Sequence, residues 1–340
     1  MIKKIEIWAN VLFRNAKWED ANGNARIEPE EIKPADRLTA TEVKKVNADI
    51  NKTYIPLIRS LDTNNDGLSY DEIKQGLFPK QDIPAIDTDK VIDSLVAKGA
   101  YQEPGCPVQI FNADGVPKEI IEGYFDAKGI AGGDVAAKRV ELKNGTIGFT
   151  PFITKNVQSV VLVPGKHLKF GSPAGRERLK MILEHEFTHV RQGNNGRMDE
   201  HFSVKNFAVN DAAVSRDQID FIGQLAYDPL QEMEAYKECV KARIAANDAE
   251  GLKKMVFRLN CEIAKKNMAR EALVKYGSKK TLELLDQFAE EILPAAEVKD
   301  LNDQSVKIAE TKPEYMPKVI IYPDFTEARL NDVYTKEDVD

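Results

Sequence analysis

The 340-residue chain has only four histidines, and two of them, His185 and His189, stand four positions apart in "LEHEFTHVRQG" with Glu186 between them. On a helix, positions i and i+4 leave the same face about 6 Å apart at Cβ. Two imidazole nitrogens so placed can reach one zinc ion at about 2.0–2.1 Å. Leu179, Ile182, Leu183 and Val190 fall on an apolar stripe of that helix, and Glu186 falls within it. A carboxylate on a core-facing stripe is costly unless it has a partner. Water activated by a metal is such a partner, with Glu186 as its general base. One arrangement therefore accounts for three residues: His185 and His189 as metal ligands, Glu186 as the catalytic base.

Such a trio needs a capped helix on a scaffold. Ser172 suits the N-cap, Pro173 the first helical position, and Gly193 predicts the stop. Upstream, "SVVLVPG" is a continuous apolar run of strand length and predicts a buried strand. "KRVELKNGTIGF" places β-formers on both sides of Asn144-Gly145, the pair that a type I′ hairpin turn favours. Before these come the amphipathic "DTDKVIDSLVAKG" and a helix candidate, "KEIIEGYFDAKG", closing on Gly129. Downstream, "PLQEMEAYKECVKARIA" and "EGLKKMVFRLNCEIAKKNMAREALVKYG" predict helices, and "PEYMPKVIIYPD" one more strand ahead of a polar tail. The fold class expected is α+β, mainly helical.

"HEFTH" on such a helix, preceded by "VVLVPG", resembles the zincin metallopeptidases. Metzincin-like enzymes would need histidine at position 195, where this chain has Asn195, and the surroundings of Asp199 give no support to the aspartate-type branch. "DPLQEMEAYKE" resembles the glutamate helix of gluzincins, whose Glu-x-x-Ala pattern selects Glu232, followed by Ala235. Glu234 and His201 remain alternatives for the third ligand. The resemblance covers residues 140–250 and implies a zinc-dependent endopeptidase acting on a peptide or protein substrate. A donor usually stabilises the tetrahedral oxyanion of such a reaction. Tyr236, one turn beyond Glu232, is the first candidate, with Tyr227 and His201 as others.

Two Asp/Asn clusters near the N-terminus offer a different chemistry. "DANGNARIEPEE" aligns with a 12-residue EF-hand calcium loop, with Asp20, Asn22, Asn24, Glu28 and Glu31 at positions 1, 3, 5, 9 and 12. The Arg26 carbonyl falls at position 7 and Ile27 at the apolar position 8. Ala25 replaces the glycine of the sharp turn, and a left-handed alanine costs about 1–2 kcal/mol. In "DTNNDGLSYDE", Asp62, Asn64, Asp66 and Gly67 are in register and Glu72 closes the loop, one residue short. Pro56 predicts a short or kinked entering helix. The separation of the loops resembles a paired EF-hand lobe docked through Ile27 and Leu68. The resemblance implies calcium of modest affinity, serving stability or regulation.

A net charge of -7 argues against a nucleic-acid surface. No apolar run approaches the roughly 20 residues that span a bilayer. The start, "MIKKIEIWAN", lacks the apolar segment of a signal peptide, so the expected compartment is cytoplasmic by default, with signal-less secretion left open. Cys106, Cys239 and Cys261 are too scattered for a disulfide framework. The segmentation expected is an EF-hand-like lobe over residues 1–80, a zincin-like domain over 81–300, and a C-terminal tail over 301–340. Two other functions compete with the peptidase: a calcium-dependent adaptor built on a degenerate zincin scaffold, and a zinc hydrolase of non-peptide substrates.

Overall fold

The computed structural model describes residues 2–13, 15–36, 38–78, 86–102, 108–112, 114–115, 159–163, 165–169, 172–210, 215, 218, 221, 223–276, 279–310 and 312–335. The hairpin expected at Asn144-Gly145 and the helix closing on Gly129 lie outside them. The fold is α+β and mainly helical, with one two-stranded and one three-stranded sheet among the described residues. No helix among them is long and apolar enough to cross a membrane. The chain forms two compact units: Met1–Pro79 together with Gly196–Asp340, and Lys80–Asn195.

The unit formed by Lys80–Asn195 carries the histidine helix. Helix α5 (Thr88–Lys98) starts at Asp87, whose carboxylate accepts from the amides of Asp89 and Lys90. It ends at Gly99, whose φ of 73° is the left-handed conformation that glycine adopts without strain. Strand β3 (Ala100–Gln102) pairs antiparallel with β4 (Val108–Asn112), and β4 pairs in parallel with β5 (Ser159–Val163). The apolar run "SVVLV" is thus a strand. Helix α6 (Pro173–Asn194) opens as its sequence predicts, with the Ser172 side chain accepting from the Gly175 amide and Pro173 in the first turn. Gly193 does not stop it. It stays buried inside the helix, and the left-handed residue comes later, at Gly196 with φ 74°. Leu179, Leu183, Phe187 and Val190 pack into one core with Val91, Ile92 and Leu95 of α5 and with Val108, Ile110 and Val163 of the sheet. Each such side chain contributes about 1.5–3 kcal/mol when removed from water. That core fixes which face of α6 is left for the histidines.

The other unit begins with α1 (Lys4–Leu12) and a two-stranded sheet, β1 (Ala16–Trp18) against β2 (Ile32–Pro34), with Trp18 opposite Ile32. The first calcium-type loop is therefore flanked by strands rather than helices, a correction to the helical pattern expected there. Asn15, left-handed at φ 60°, breaks the chain before the loop, and Pro34 lacks the amide a helix would use after it. The second loop does lie between helices. Ahead of it, α2 (Ala40–Asp49) passes through one π-helical turn (Ile50–Tyr54) into α3 (Ile55–Leu61), and the expected disturbance at Pro56 takes that form. Helix α4 (Tyr70–Leu77) follows the loop, capped by Ser69 and Glu72 in a reciprocal capping box.

Five longer helices complete this unit: α7 (Arg197–Asn210), α8 (Asp228–Ala245), α9 (Ala249–Tyr276), α10 (Lys279–Ile292) and α11 (Ala295–Ala309). Helix α1 is bound to α7, because Trp8 Nε1 donates to Glu200 at 3.1 Å and Asn206 donates to the Asn10 carbonyl at 2.9 Å. The strand expected in "PEYMPKVIIYPD" does not form. Pro313–Val319 wind as a 3-10 helix, and residues 320–322 run on with no strand partner among the described residues. Side-chain amides satisfy their backbone instead. Asn260 of α9 takes the Ile320 carbonyl at 2.9 Å and the Tyr322 amide at 3.0 Å. Asn302 of α11 takes the Ile321 amide at 2.8 Å and its carbonyl at 3.0 Å.

Candidate functional site

His185 and His189 leave α6 on one face, and both are buried. Their rings meet edge to face, with centroids 4.7 Å apart and the two Nε2 atoms 3.0 Å apart. Two nitrogens bound tetrahedrally to one zinc would lie about 3.3 Å apart, so the pair is close to a chelating geometry. Gln192, one turn on, places Oε1 2.8 Å from His189 Nδ1. An amide oxygen only accepts, so that contact puts the proton on Nδ1 and leaves the Nε2 lone pair for a metal. Glu186, the residue after His185, is buried, as its place on the apolar stripe predicts. Two imidazoles with a carboxylate at hand form a donor set that suits zinc.

The other site residues expected from sequence belong to the unit that contains α8. Glu232 is half-buried, on the face it shares with Asp228 and Tyr236 at i−4 and i+4. Burial, and then the Glu232 charge, pushes up the pKa of both Asp228 and Tyr236. The Tyr236 hydroxyl therefore keeps its proton and can donate. Tyr227 is buried edge-on to Phe202, and its pKa is also raised, mainly by burial. Glu234 points elsewhere, with Arg197 Nε 3.7 Å from its carboxylate. His201 is fully buried on α7 against the Phe288 ring, 5.1 Å away, and neither ring nitrogen has a hydrogen-bond partner among the described residues.

The two acidic loops share one backbone pattern. Each is left-handed at its fourth residue (Gly23, Asn65) and at its sixth (Ala25, Gly67). The sixth amide donates to the first aspartate in both, Ala25 to Asp20 at 3.2 Å and Gly67 to Asp62 at 3.1 Å. The other oxygen of each aspartate is buried without a hydrogen-bond partner among the described residues. Ile27 and Leu68, both fully buried, join the loops through reciprocal backbone bonds of 2.9 and 3.0 Å. The side chains at the expected ligand positions find local partners in the first loop. Asn22 and Asn24 both donate to Glu28, and Glu31 accepts from the Ala21 amide and Trp18 Nε1. In the second loop, Asn64 accepts from the Asp66 amide, and Asp62, Asp66 and Glu72 bring carboxylate oxygens within 4.8 Å of one another. Burial opposes ionisation of Glu72, yet bonds from Ser69 and Thr63 hold its pKa down to about 2.

Comparison with protein-family models, with curated proteins and with solved structures finds no match.

Nothing in the sequence of an i+3 glutamine says that Gln192 will face His189, or which of its nitrogens. His201 carries a consequence for acid stability. Burial first, and the Arg197 charge second, lower its pKa well below the ordinary value, so the folded protein holds it neutral. An unfolded chain takes up that proton as the pH falls through about 6.5. Stability is then complete above that pH and declines below it by about 1.4 kcal/mol per pH unit for one proton. In His201→Phe, which keeps a ring against Phe288, denaturant midpoints between pH 6.5 and 5.5 should fall less steeply than in the unsubstituted protein. Parallel curves for the two would remove His201 as the source.

Proposed function

We propose that the chain is a zinc-dependent endopeptidase of gluzincin type that carries a calcium-binding lobe. The observation that carries this reading is the buried histidine pair on α6, with Nε2 atoms 3.0 Å apart, Gln192 on the far nitrogen of His189 and Glu186 buried beside His185 in the chain. The zinc ligands in this reading are His185, His189 and Glu232. Glu232 is favoured over the alternatives because Glu234 is paired with Arg197 and His201 is sealed against Phe288.

A zinc ion held there supplies Lewis acidity to the scissile carbonyl and to water. The residues of the chain do the rest. Glu186 takes the proton of the attacking water and passes it to the departing amine, a transfer that burial makes more effective. Tyr236, held protonated by burial and the Glu232 charge, donates to the oxyanion. The Gln192 contact keeps His189 in the tautomer a metal requires. In the lobe, the Ile27–Leu68 pairing and the buried oxygens of Asp20 and Asp62 support calcium at Asp20, Asn22, Asn24, Arg26, Glu28 and Glu31, and at Asp62, Asn64, Asp66 and Glu72. Calcium there stabilises the folded lobe by about 2.7 kcal/mol at a hundredfold excess over Kd.

The test is metal analysis of the purified protein beside a casein and peptide-library digest, with chelator and after zinc is restored. One zinc per chain, with cleavage that disappears and returns with the metal, is the expected result. Zinc without cleavage of any peptide moves the site to a non-peptide hydrolase, and neither zinc nor cleavage overturns the reading.

A further inference from the structure

Arg26 belongs to the first loop, but its guanidinium sits in the second. Nη1 donates to the Asp66 carboxylate and, at 2.8 Å, to the Gly67 carbonyl, and it lies 4.0 Å from the Glu72 carboxylate. These are the carboxylates that converge with Asp62 to within 4.8 Å. Like charges that close raise one another's cost unless a cation lies among them. The chain supplies that cation itself. Its position is not left to a flexible arm, because the neighbouring residue, Ile27, is fixed to Leu68 by two backbone bonds. The stem also lies against the Gly67 backbone, where a Cβ would come within 3.0 Å of the Arg26 Cβ. A charge tethered this way acts at a high effective concentration on its target.

We propose that Arg26 is a tethered cation for the second loop, holding the place of a divalent ion, so that calcium enters there only when the guanidinium leaves. This rests on the calcium reading of the lobe and adds its regulation. One residue then serves both loops, with its carbonyl at the seventh position of the first and its side chain in the second. The loops become coupled through a single side chain.

Calorimetric calcium titration of the full chain tests this in the unsubstituted protein, in Arg26→Met, and in each with Asp62→Asn added to silence the second loop. Arg26→Met keeps the apolar stem and removes the charge. It should tighten the Asp62-dependent step by about tenfold or more, since ligand charge sets the affinity of such loops. In chelator its Tm should be lower than that of the unsubstituted protein, and calcium should restore the difference. An ordinary bracing ion pair would give the loss without the rescue. Asp62-dependent binding that is unchanged or weaker in Arg26→Met overturns the inference and leaves the calcium reading standing. Heat that never depends on Asp62, in either background, overturns the calcium reading of this loop and the inference with it. Arg26→Gln provides the same comparison if the methionine variant does not fold.

Discussion

Glu186→Gln should retain one zinc per chain and lose about 10²–10⁴-fold in kcat/KM for peptide hydrolysis, the usual worth of a positioned general base. Glutamine keeps the size and hydrogen-bonding reach of the side chain in its buried place. It cannot accept a proton from water at neutral pH. The loss should therefore fall on kcat, with metal content and thermal midpoint close to those of the parent. Metal analysis and steady-state kinetics on one preparation separate the two roles. Hydrolysis within a few-fold of the parent would show that no proton passes through Glu186, and the peptidase mechanism would go with it.

Glu232→Ala should weaken zinc by more than about 100-fold, because removing a ligand costs more than the 10–100-fold typical of residues that only orient one. Glu234→Ala should keep the metal. Two residues apart on α8, the two carboxylates face different directions. Glu232 shares its face with Asp228 and Tyr236, and Glu234 meets Arg197 at 3.7 Å. The Glu234 variant should pay only in stability, since Arg197 keeps Glu200 at 3.2 Å and Glu291 at 2.9 Å as partners. Competition with a chromogenic chelator reads both variants. Zinc lost on substituting Glu234 and kept on substituting Glu232 would invert the assignment and place the metal on the other side of α8.

What could be read from the sequence was local. The Ser172–Pro173 start of α6, the strand at "SVVLV", the left-handed Ala25 and the disturbed helix at Pro56 each follow from a residue and its neighbours. The Ile27–Leu68 pairing, although long-range, was legible because position 8 repeats in both loops. What could not be read depends on partners distant in sequence. Asn260 and Asn302 look like ordinary helix asparagines until the 320–322 segment lies across them and takes their amides in place of a strand. The helix runs past Gly193 to Asn194, and the left-handed glycine is Gly196, where the packed Phe78 ring leaves no room for a side chain, with a Cβ only 2.8 Å from it. Arg26 read as a carbonyl donor because a sequence pattern numbers backbone positions and is silent on where a long side chain ends.

That meeting of Phe78 and Gly196 has a bearing on biosynthesis. The chain leaves one compact unit near residue 79 and returns to it at 196, with all of the other unit between. On the ribosome, the N-terminal segment emerges long before α7, which supplies the Glu200 carboxylate for Trp8 and the Asn206 amide for the end of α1. Residues 80–195 form the other compact unit, and α6, its last helix, is translated before α7. The segment translated first is therefore one that must wait, its tryptophan without its carboxylate, until translation has passed residue 206.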